Sequence, residues 1–544
     1  MRQINQNLPG RLVHSLNALP PRISSSLAEV TLPIGSGGGI FCASPISYPL
    51  RYPEIAMRVR FAPSPTGFLH IGGLRTALYN YLLARKEGGA FVLRIEDTDR
   101  TRFVADAEQD ILDSLKWAGI TFDEGPGVGG KYGPYHQSER SELYASVAKQ
   151  LIEADHAYIA FDTPEEIESM KERTRTDSNP NPRYDYVTRV EMTNSLTLTE
   201  QEVKTRMDSG APFVVRLKVN PGQTVSFTDA IRGDVSFESE TVDDQVLVKS
   251  DGLPTYHLAN IVDDHEMGIT HVIRGEEWLP STPKHILLYQ AMGWAAPQMA
   301  HLPLILSPTG GKLSKRNADK QGIPVSVAQY RETGYEPAAL VNFLAMLGWN
   351  PGTETELFSM EELIQAFSLD RVGQAGVQFD LQKLKWFNEQ YVRSRSSENL
   401  SAALLDEVQS RYGAIEATYL ERAIELMRER LSFEKDLLEE SYLFADPTSY
   451  DEGACKKRWK ENSSPLLVDF ANELSGLDSW DRNALETALK TFIADREVGM
   501  GAIMFPVRMT LTGMGSGPDL YGMMELFGME VVVRRLTAGA STLG

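Results

Sequence analysis

Cysteine is nearly absent from this 544-residue sequence, which contains only Cys42 and Cys455. Two cysteines exclude a disulfide framework and a zinc site built from four cysteine ligands. Long hydrophobic runs are also missing, since no apolar stretch approaches the roughly 18 residues that a membrane helix needs. Basic residues are outnumbered by acidic ones, 54 against 74, which gives a net charge of −20. That charge argues against a non-specific coat for nucleic acid, although a local basic face can still bind RNA.

The first 56 residues differ in composition from the rest of the chain. They contain four arginines, no lysine, two acidic residues and many serines, including Ser24–Ser26. An arginine- and serine-rich segment with few acids is typical of an organelle transit peptide, which is removed before folding. The alternative is an N-terminal tail without a targeting signal. We therefore expect residues 1–56 to direct the protein to a chloroplast, a mitochondrion or both.

The stretch Arg60–Leu78 (RFAPSPTGFLHIGGLRTAL) joins a predicted strand to a predicted helix. Residues 57–62 alternate apolar and basic side chains, which indicates a short strand, and the prolines that follow end it. From Ile71 onward, apolar residues recur at spacings of three and four, which predicts a helix. Glycines at its start let a phosphate approach the backbone, where free N–H groups favour an anion, and His70 adds a side-chain donor. Such a joint, taken alone, is usually structural.

A basic loop lies about 240 residues downstream. The apolar stretch Leu302–Leu306 predicts a strand, and a glycine-containing turn leads from it to Lys312–Arg316 (KLSKR). Three cations in five residues suit a triphosphate, whose charge grows as pyrophosphate leaves. By itself, a basic loop is more often solvated surface.

Taken together, HIGG and KLSKR resemble the two signature sequences of class I aminoacyl-tRNA synthetases. The words RFAPSPTG, LRIEDTDR, PTYHLANIVDDH and VIRGEEW are similar to those of glutamyl-tRNA synthetases of the bacterial and organellar type. The resemblance extends from about Met57 to the C-terminus.

The resemblance implies an α/β N-terminal half, which is a Rossmann-type class I catalytic domain split by an acceptor-binding insertion, plus an all-α C-terminal anticodon-binding half. The sequence pattern is consistent with these domains. Capping boxes at Thr163 and Thr199 predict helices where the α/β alternation breaks, and helical patterns prevail beyond Arg393. We expect a transit peptide at 1–56, the first catalytic half at 57–139, the insertion at 140–252, the second catalytic half at 253–300, the KLSKR loop with a helical connecting domain at 301–392, and a helical anticodon-binding region at 393–544.

The resemblance also assigns site residues. The implied catalytic residues are His70, Lys312 and Lys315. The implied ATP site consists of His70, Gly72, Gly73, Glu277, Trp278, Lys312, Leu313, Ser314, Lys315 and Arg316. The implied glutamate site consists of Arg60, Phe61, Ala62, Ser64, Glu96, Tyr256, His257, Leu258, Ala259, Asn260 and Arg274. No protein ligand to a metal is assigned.

Arg274 and Glu96 have the charges that binding glutamate requires. An arginine can pair a carboxylate through two parallel bonds, so Arg274, near the end of a predicted strand, is the implied partner of the substrate side chain. Glu96 follows another predicted strand and would bind the α-ammonium group. A salt bridge from Arg274 to Glu276 is the structural alternative.

A metal pair at Asp264 and His265 is discounted, because adjacent residues on a strand point to opposite faces.

ATP is expected as a substrate together with Mg²⁺, which would bridge its phosphate oxygens. Structural zinc is not expected, because the insertion lacks the cysteine cluster that some bacterial members of the family carry. The implied partners are L-glutamate and tRNA-Glu, and charging of tRNA-Gln is left open. We expect a monomer with no membrane partner.

Three alternative functions predict different sequence features. A glutaminyl-tRNA synthetase would end in β-barrel anticodon domains, and a tRNA-modifying paralogue would lack the C-terminal half. An RNA-binding scaffold on an inactive synthetase fold would not need His70 or the lysines of KLSKR.

In the helical half, Arg428 and Arg430 lie in the segment where an arginine of the family discriminates the third anticodon base. The alternative is that both merely solvate a helix end.

Overall fold

The computed structural model describes residues 56–314, 318 and 320–544. The predicted transit peptide therefore lies outside the described residues, except for its last position. Lys315 and Arg316 of the basic loop also lie outside them.

The described chain begins with a β–α–β unit. It consists of β1 (Arg58–Phe61), α1 (Ile71–Lys86) and β2 (Ala90–Leu93), and its two strands are parallel. Val59 pairs with Phe91 across the strands, and both side chains are fully buried. Apolar residues on α1, including Leu74 and Leu78, pack in the same core. The predicted strand and helix on either side of the proline-rich turn are confirmed.

The next segment contains helices and strands in alternation. Its elements are α2 (Ala107–Trp117), α3 (Ser141–Glu153), β3 (Ala157–Ala160), α4 (Pro164–Thr174), α5 (Glu200–Asp208), β4 (Val214–Leu217), β5 (Thr224–Asp229), β6 (Gly233–Glu238) and β7 (Val246–Val248). Both predicted capping boxes are confirmed, one joining Thr163 to Glu166 and one joining Thr199 to Glu202. Strands β3, β4 and β7 form an antiparallel sheet.

A second α/β segment follows the first. Its elements are α6 (Tyr256–Glu266), β8 (His271–Gly275), α7 (Thr282–Ala291), β9 (Gln298–Leu302) and β10 (Ile305–Leu306). The prediction of one strand from Leu302 to Leu306 is wrong, because Pro303 has no N–H to donate and separates β9 from β10. Asp264 and His265 lie in the helix α6, so the prediction that they are adjacent residues of a strand is also wrong.

Strands from both segments share one sheet, with the order β6–β5–β9–β8. Parallel pairing of β8 with β9 places Arg274 opposite His301. The hairpin β5–β6 adds to the other edge of β9, where Asp229 pairs with Met299. Thr270, just before β8, exchanges backbone and side-chain hydrogen bonds with Arg58 and so ties β1 to this sheet.

The remainder of the described chain is mainly helical. Its helices are α8 (Val327–Thr333), α9 (Pro337–Met346), α10 (Met360–Ala366), α11 (Leu381–Ser394), α12 (Ser397–Tyr412), α13 (Ala417–Met427), α14 (Asp436–Glu439), α15 (Glu452–Arg458), α16 (Ser463–Leu474), α17 (Arg482–Asp495), α18 (Met500–Thr512) and α19 (Leu520–Leu543). One short strand, β11 (Val377–Gln378), pairs with β10. Helices α12 to α14 and α16 to α19 pack around an apolar core of their own. No helix in the described ranges is long and apolar enough to cross a membrane.

Candidate active site

A cavity of about 830 Å³ opens where β1, β2 and β8 end. Ligands of open parallel sheets bind outside the carboxyl ends of the strands, so this is the expected position for a substrate. The lining brings together eleven of the predicted site residues, namely Arg60, Phe61, Ala62, Ser64, Gly72, Gly73, Glu96, Tyr256, Arg274, Glu277 and Trp278.

The residues that follow Tyr256 are described but lie outside this lining. Leu258 and Ala259 are buried in the apolar core beneath α6, and Asn260 is buried as well. His257 instead contacts the ring of His285, with 3.2 Å between Nδ1 and Nε2. The segment Tyr256–Asn260 forms a helical turn, so its side chains point in several directions and only that of Tyr256 faces the cavity. The predicted contacts of the other four residues with glutamate stay predictions.

Arg274 is surrounded by neutral acceptors. Its Nε donates to His301 Nε2 at 3.1 Å and its Nη2 donates to Thr282 Oγ1 at 3.0 Å. Its Nη1 donates to the Tyr256 hydroxyl at 3.0 Å and to His285 Nδ1 at 3.2 Å. Burial, and then the charge of Arg274, lower the pKa of His285 well below its ordinary value, which keeps that ring neutral.

The alternative salt bridge between Arg274 and Glu276 is wrong. The chain leaves β8 at Gly275 and enters a 3₁₀ turn, so Glu276 is not on the face of Arg274. Glu276 pairs with Arg232 and accepts the Leu304 N–H at 2.9 Å. Among the described residues no carboxylate pairs with Arg274, so its positive charge is available to a ligand.

A buried ion network holds Arg60 and Glu96 beside the cavity. Asp264 Oδ1 accepts from Arg60 Nε at 3.0 Å and from Arg94 Nη1 at 2.8 Å. Arg94 Nη2 in turn donates to Glu96 Oε1 at 3.1 Å. Burial raises the pKa of Glu96 to about 7, although the charges of Arg94 and Arg60 act in the opposite direction. Glu96 can therefore change its charge near neutral pH.

His70 is the N-cap of α1. Its Nδ1 accepts the Gly72 N–H at 3.0 Å, so the prediction of a free N–H is wrong at that position. Burial, and then the charge of Lys312, lower the pKa of His70 below its ordinary value. The neutral ring that accepts at Nδ1 carries its proton on Nε2. His70 therefore keeps one donor for a ligand.

The structure brings the two signature sequences together. Beyond the basic loop the chain returns to the first signature, where the Ile71 N–H donates to the Val325 carbonyl at 3.0 Å and the Val327 N–H donates to that of Leu69 at 2.9 Å. Lys312 Nζ lies 3.1 Å from Glu277 Oε1. Leu313, by contrast, is buried in the core, so its side chain does not face the cavity.

Gly73 allows close packing at the start of α1. A Cβ at this position would lie 2.9 Å from Leu69 Cδ1, and such a contact would force the leucine to move. The contact would fall on the end of a flexible side chain, so it does not by itself require glycine at position 73.

The comparisons with known proteins agree with this geometry. The family model for class I tRNA synthetases (E and Q), catalytic domain, matches residues 56–386, and that for an anticodon binding domain matches residues 399–540. The glutamate–tRNA ligase of Amoebophilus asiaticus is 48% identical over 499 residues, which cover 89% of this chain and 98% of the relative. That of Cytophaga hutchinsonii is 48% identical over 504 residues, with 90% and 98% covered.

A solved structure is also similar. The crystal structure of a glutamate tRNA ligase from Elizabethkingia meningosepticum, in complex with its amino acid, matches with a TM-score of 0.85 and 44% identity, covering 90% of this chain and 100% of that chain. The chain belongs to the glutamate–tRNA ligase family. This membership confirms the resemblance and the predicted fold class, a class I catalytic domain followed by a helical anticodon-binding domain.

The two arginines predicted to read the anticodon have different environments. Arg428 donates to the Arg393 and Arg395 carbonyls at 2.7 and 2.8 Å and to Ser397 Oγ at 2.7 Å, so it clamps the start of α12. Arg430 is exposed at the end of the 3₁₀ turn that follows α13. The alternative that both merely solvate a helix end is therefore wrong for Arg428, and Arg430 is the more exposed of the two.

Sequence reasoning missed the residues that support the site. Arg94 and Asp264 join the ion network, and Asp229 and His301 lie behind Arg274. A signal existed for Asp264, because a helical period through α6 puts it on the buried face. For Asp229 there was none, since it lies 72 residues from His301 in the sequence.

Proposed function

We propose that this chain is an active glutamate–tRNA ligase, which activates L-glutamate with ATP and transfers it to the terminal adenosine of tRNA-Glu. The observation that carries the proposal is Arg274, a cation at the cavity whose described partners are all neutral. A glutamate side chain would supply the missing negative charge. Glu96, in the same lining, is suited to the α-ammonium group when ionised.

The reaction requires two displacements and no covalent bond to the enzyme. In the first, the α-carboxylate oxygen of glutamate attacks the α-phosphorus of ATP, and the bond to the bridging oxygen breaks as pyrophosphate leaves. In the second, a ribose hydroxyl of the terminal adenosine attacks the carbonyl carbon of the adenylate, and AMP leaves. Positioning and charge stabilisation can supply most of the acceleration of such steps.

The two signature sequences would act on the phosphates. His70 would donate from Nε2, and Lys312, with Lys315, would neutralise the charge that grows on pyrophosphate. Loss of one such donor typically costs about 3–4 kcal/mol, or roughly 10²–10³ in rate.

Mg²⁺ would supply further neutralisation of the phosphate charge when bound. In the described ranges, no cluster of three His, Cys, Asp or Glu side chains is placed to hold a metal ion. Mg²⁺ beside a nucleotide commonly needs only one or two carboxylates in addition to the phosphates. The cavity lining offers Asp99, Asp251 and Glu277, so the residues present fit an ion held mainly by the substrate.

Rejection of glutamine would follow from the same arginine. The amide of glutamine has nearly the shape of the glutamate carboxylate but carries no charge, so Arg274 would stay buried without a counter-charge. A site whose buried polar group is left unpaired rejects the wrong substrate strongly.

Pyrophosphate exchange tests the proposal. The wild-type protein should incorporate pyrophosphate into ATP when glutamate and tRNA-Glu are present and should not do so with glutamine. Arg274→Leu should abolish the exchange while ATP still binds. An inactive RNA-binding scaffold would show no exchange at all, and normal exchange by Arg274→Leu would refute the assignment of this residue.

The place of action and the tRNA range extend this proposal. The composition of residues 1–56 supports import into an organelle. Organellar members of the resembled family often charge tRNA-Gln as well as tRNA-Glu, and on that basis we propose that this enzyme does so. The described relatives are bacterial, so both extensions require their own tests.

A further inference from the structure

A buried acid–histidine pair lies directly behind Arg274. His301, opposite Arg274 on the neighbouring strand, approaches Asp229 with 2.6 Å between Nδ1 and Oδ2. The side chains of both residues are fully buried. Asp229 belongs to β5, in the predicted insertion, so the pair connects the insertion to the proposed glutamate site.

The carboxylate of Asp229 is held in one orientation. Its Oδ1 accepts the backbone N–H groups of Ile231 and Arg232, each at 3.0 Å, and that of His301 at 3.2 Å. Burial opposes ionisation, but the bonds from His301 and the backbone hold the pKa of Asp229 below its ordinary value. The ionised Oδ2 therefore faces Nδ1 of the ring and can only accept.

This orientation determines the tautomer of His301. With Nδ1–H donating to Asp229, a neutral ring has a lone pair on Nε2, and Nε2 receives the Arg274 Nε–H at 3.1 Å. Burial lowers the pKa of His301 although Asp229 acts against that shift, so the ring stays neutral. The opposite tautomer would direct one donor at another.

We propose that Asp229 and His301 are positioning residues, which aim the guanidinium of Arg274 by fixing the tautomer of His301. Acceptors on His301, Tyr256, His285 and Thr282 engage all but one of its five N–H donors, so the two parallel bonds expected from the sequence are not both available and one N–H remains. The direction of the remaining Nη2 hydrogen therefore depends on these partners. This inference rests on the proposed function, because it assigns Arg274 to the substrate carboxylate.

The variant Asp229→Asn tests the tautomer directly. Three backbone N–H groups at the Oδ1 position would hold the amide oxygen there, so the NH₂ group would face His301 Nδ1. Nδ1 would then have to accept, and Nε2–H would oppose Arg274 Nε–H. Calorimetric titration with L-glutamate should show a dissociation constant raised about tenfold or more, as expected for loss of a hydrogen bond to a charged group. The KM for ATP in the exchange reaction should stay unchanged.

Asp244→Asn is the matched control. Asp244 is also fully buried, with Oδ1 accepting the Val219 N–H at 3.0 Å and Oδ2 accepting from Tyr158 at 2.7 Å and Arg189 at 3.0 Å. Its amide would likewise face donors, but none of the contacts of Arg274 involves it. Asp244→Asn should leave the affinity for glutamate within about twofold of wild type. Equal effects of the two substitutions would overturn the proposal.

Two variants of His301 separate aiming from simple packing. Gln can place its amide oxygen at the Nε2 position and accept from Arg274, whereas Asn can place its NH₂ at the Nδ1 position and donate only to Asp229. We expect His301→Gln to bind glutamate more tightly than His301→Asn. The reverse order would show that the hydrogen bond to Asp229 is what matters and would overturn the aiming role. If the wild-type protein itself fails to bind glutamate, the proposed function fails; if it binds and Asp229→Asn binds equally well, only the positioning role fails.

Discussion

The Nζ of Lys312 lies 3.1 Å from Oε1 of Glu277, which joins the start of the basic loop to the turn after β8. Both side chains are about half exposed, at 53% and 43%, so the ion pair adds at most about 1 kcal/mol to the free energy of unfolding. Its larger effect is electrostatic, because Lys312 acts together with burial to lower the pKa of His70. Lys312 thus places a cation near the neutral ring of His70, on the side of the cavity where we propose that ATP binds.

Lys312→Ala should lower kcat for pyrophosphate exchange by roughly 10²–10³ and leave the melting temperature nearly unchanged. The reason is that the cation would stabilise charge that develops as pyrophosphate leaves. Lys383→Ala is the control, since Lys383 forms a comparably exposed pair with Glu356 at 2.8 Å and should show wild-type kinetics. An effect of Lys312→Ala confined to the KM for ATP would mean that the residue only helps to bind the nucleotide.

Glutamate binding should depend on pH through Glu96. Because burial raises its pKa to about 7, the carboxyl is protonated below that pH and ionised above it. Only the ionised form can pair with the α-ammonium group, so the dissociation constant for glutamate should fall as pH rises from about 6 to about 8. The pKa of His257 is lowered to about 4, chiefly by burial, and that ring should not contribute in this range.

Glu96→Gln should bind glutamate weakly and with little pH dependence over the same range. Titration calorimetry at several pH values measures both quantities. A pH dependence that persists in Glu96→Gln would assign the titration to another group.

Arg430→Ala and Arg428→Ala should separate recognition from stability. Arg428 is clamped to backbone carbonyls, so its loss should lower the melting temperature. Arg430 is exposed, so Arg430→Ala should leave stability unchanged and alter the ratio of tRNA-Glu to tRNA-Gln charging. Aminoacylation with purified organellar tRNAs measures that ratio. Undetectable charging of tRNA-Gln by the wild type would refute the relaxed range, whereas an unchanged ratio in Arg430→Ala would place the discrimination elsewhere.

A chain that starts at Met57 should keep full aminoacylation activity and should no longer be imported into the organelle. The reason is that residues 1–56 have the composition of a cleavable transit peptide. An import assay with isolated chloroplasts and mitochondria, comparing the full chain with the shortened one, distinguishes the two organelles. Import of the shortened chain, or loss of its activity, would contradict the transit peptide.

Local signals predicted the elements that carry the site, and long-range contacts supplied what they missed. The turn before α1, the helix from Ile71 and both capping boxes depend on neighbouring residues, so the sequence was sufficient for them. The environment of Arg274 depends on His301 and Thr282, whose approach is set by strand pairing and by the start of α7. Nothing in the residues around Arg274 indicated that its partners would be neutral.

The hairpin β5–β6 makes the insertion an unsuitable unit for exchange between synthetases. Asp229 would travel with a transplanted segment 140–252, while His301 would stay with the recipient. On the roles proposed for these residues, such a chimaera would misdirect Arg274, the proposed partner of the substrate carboxylate. Engineering of acceptor specificity in this scaffold should keep Asp229 and His301 as a matched pair, or end the transplanted segment before the hairpin.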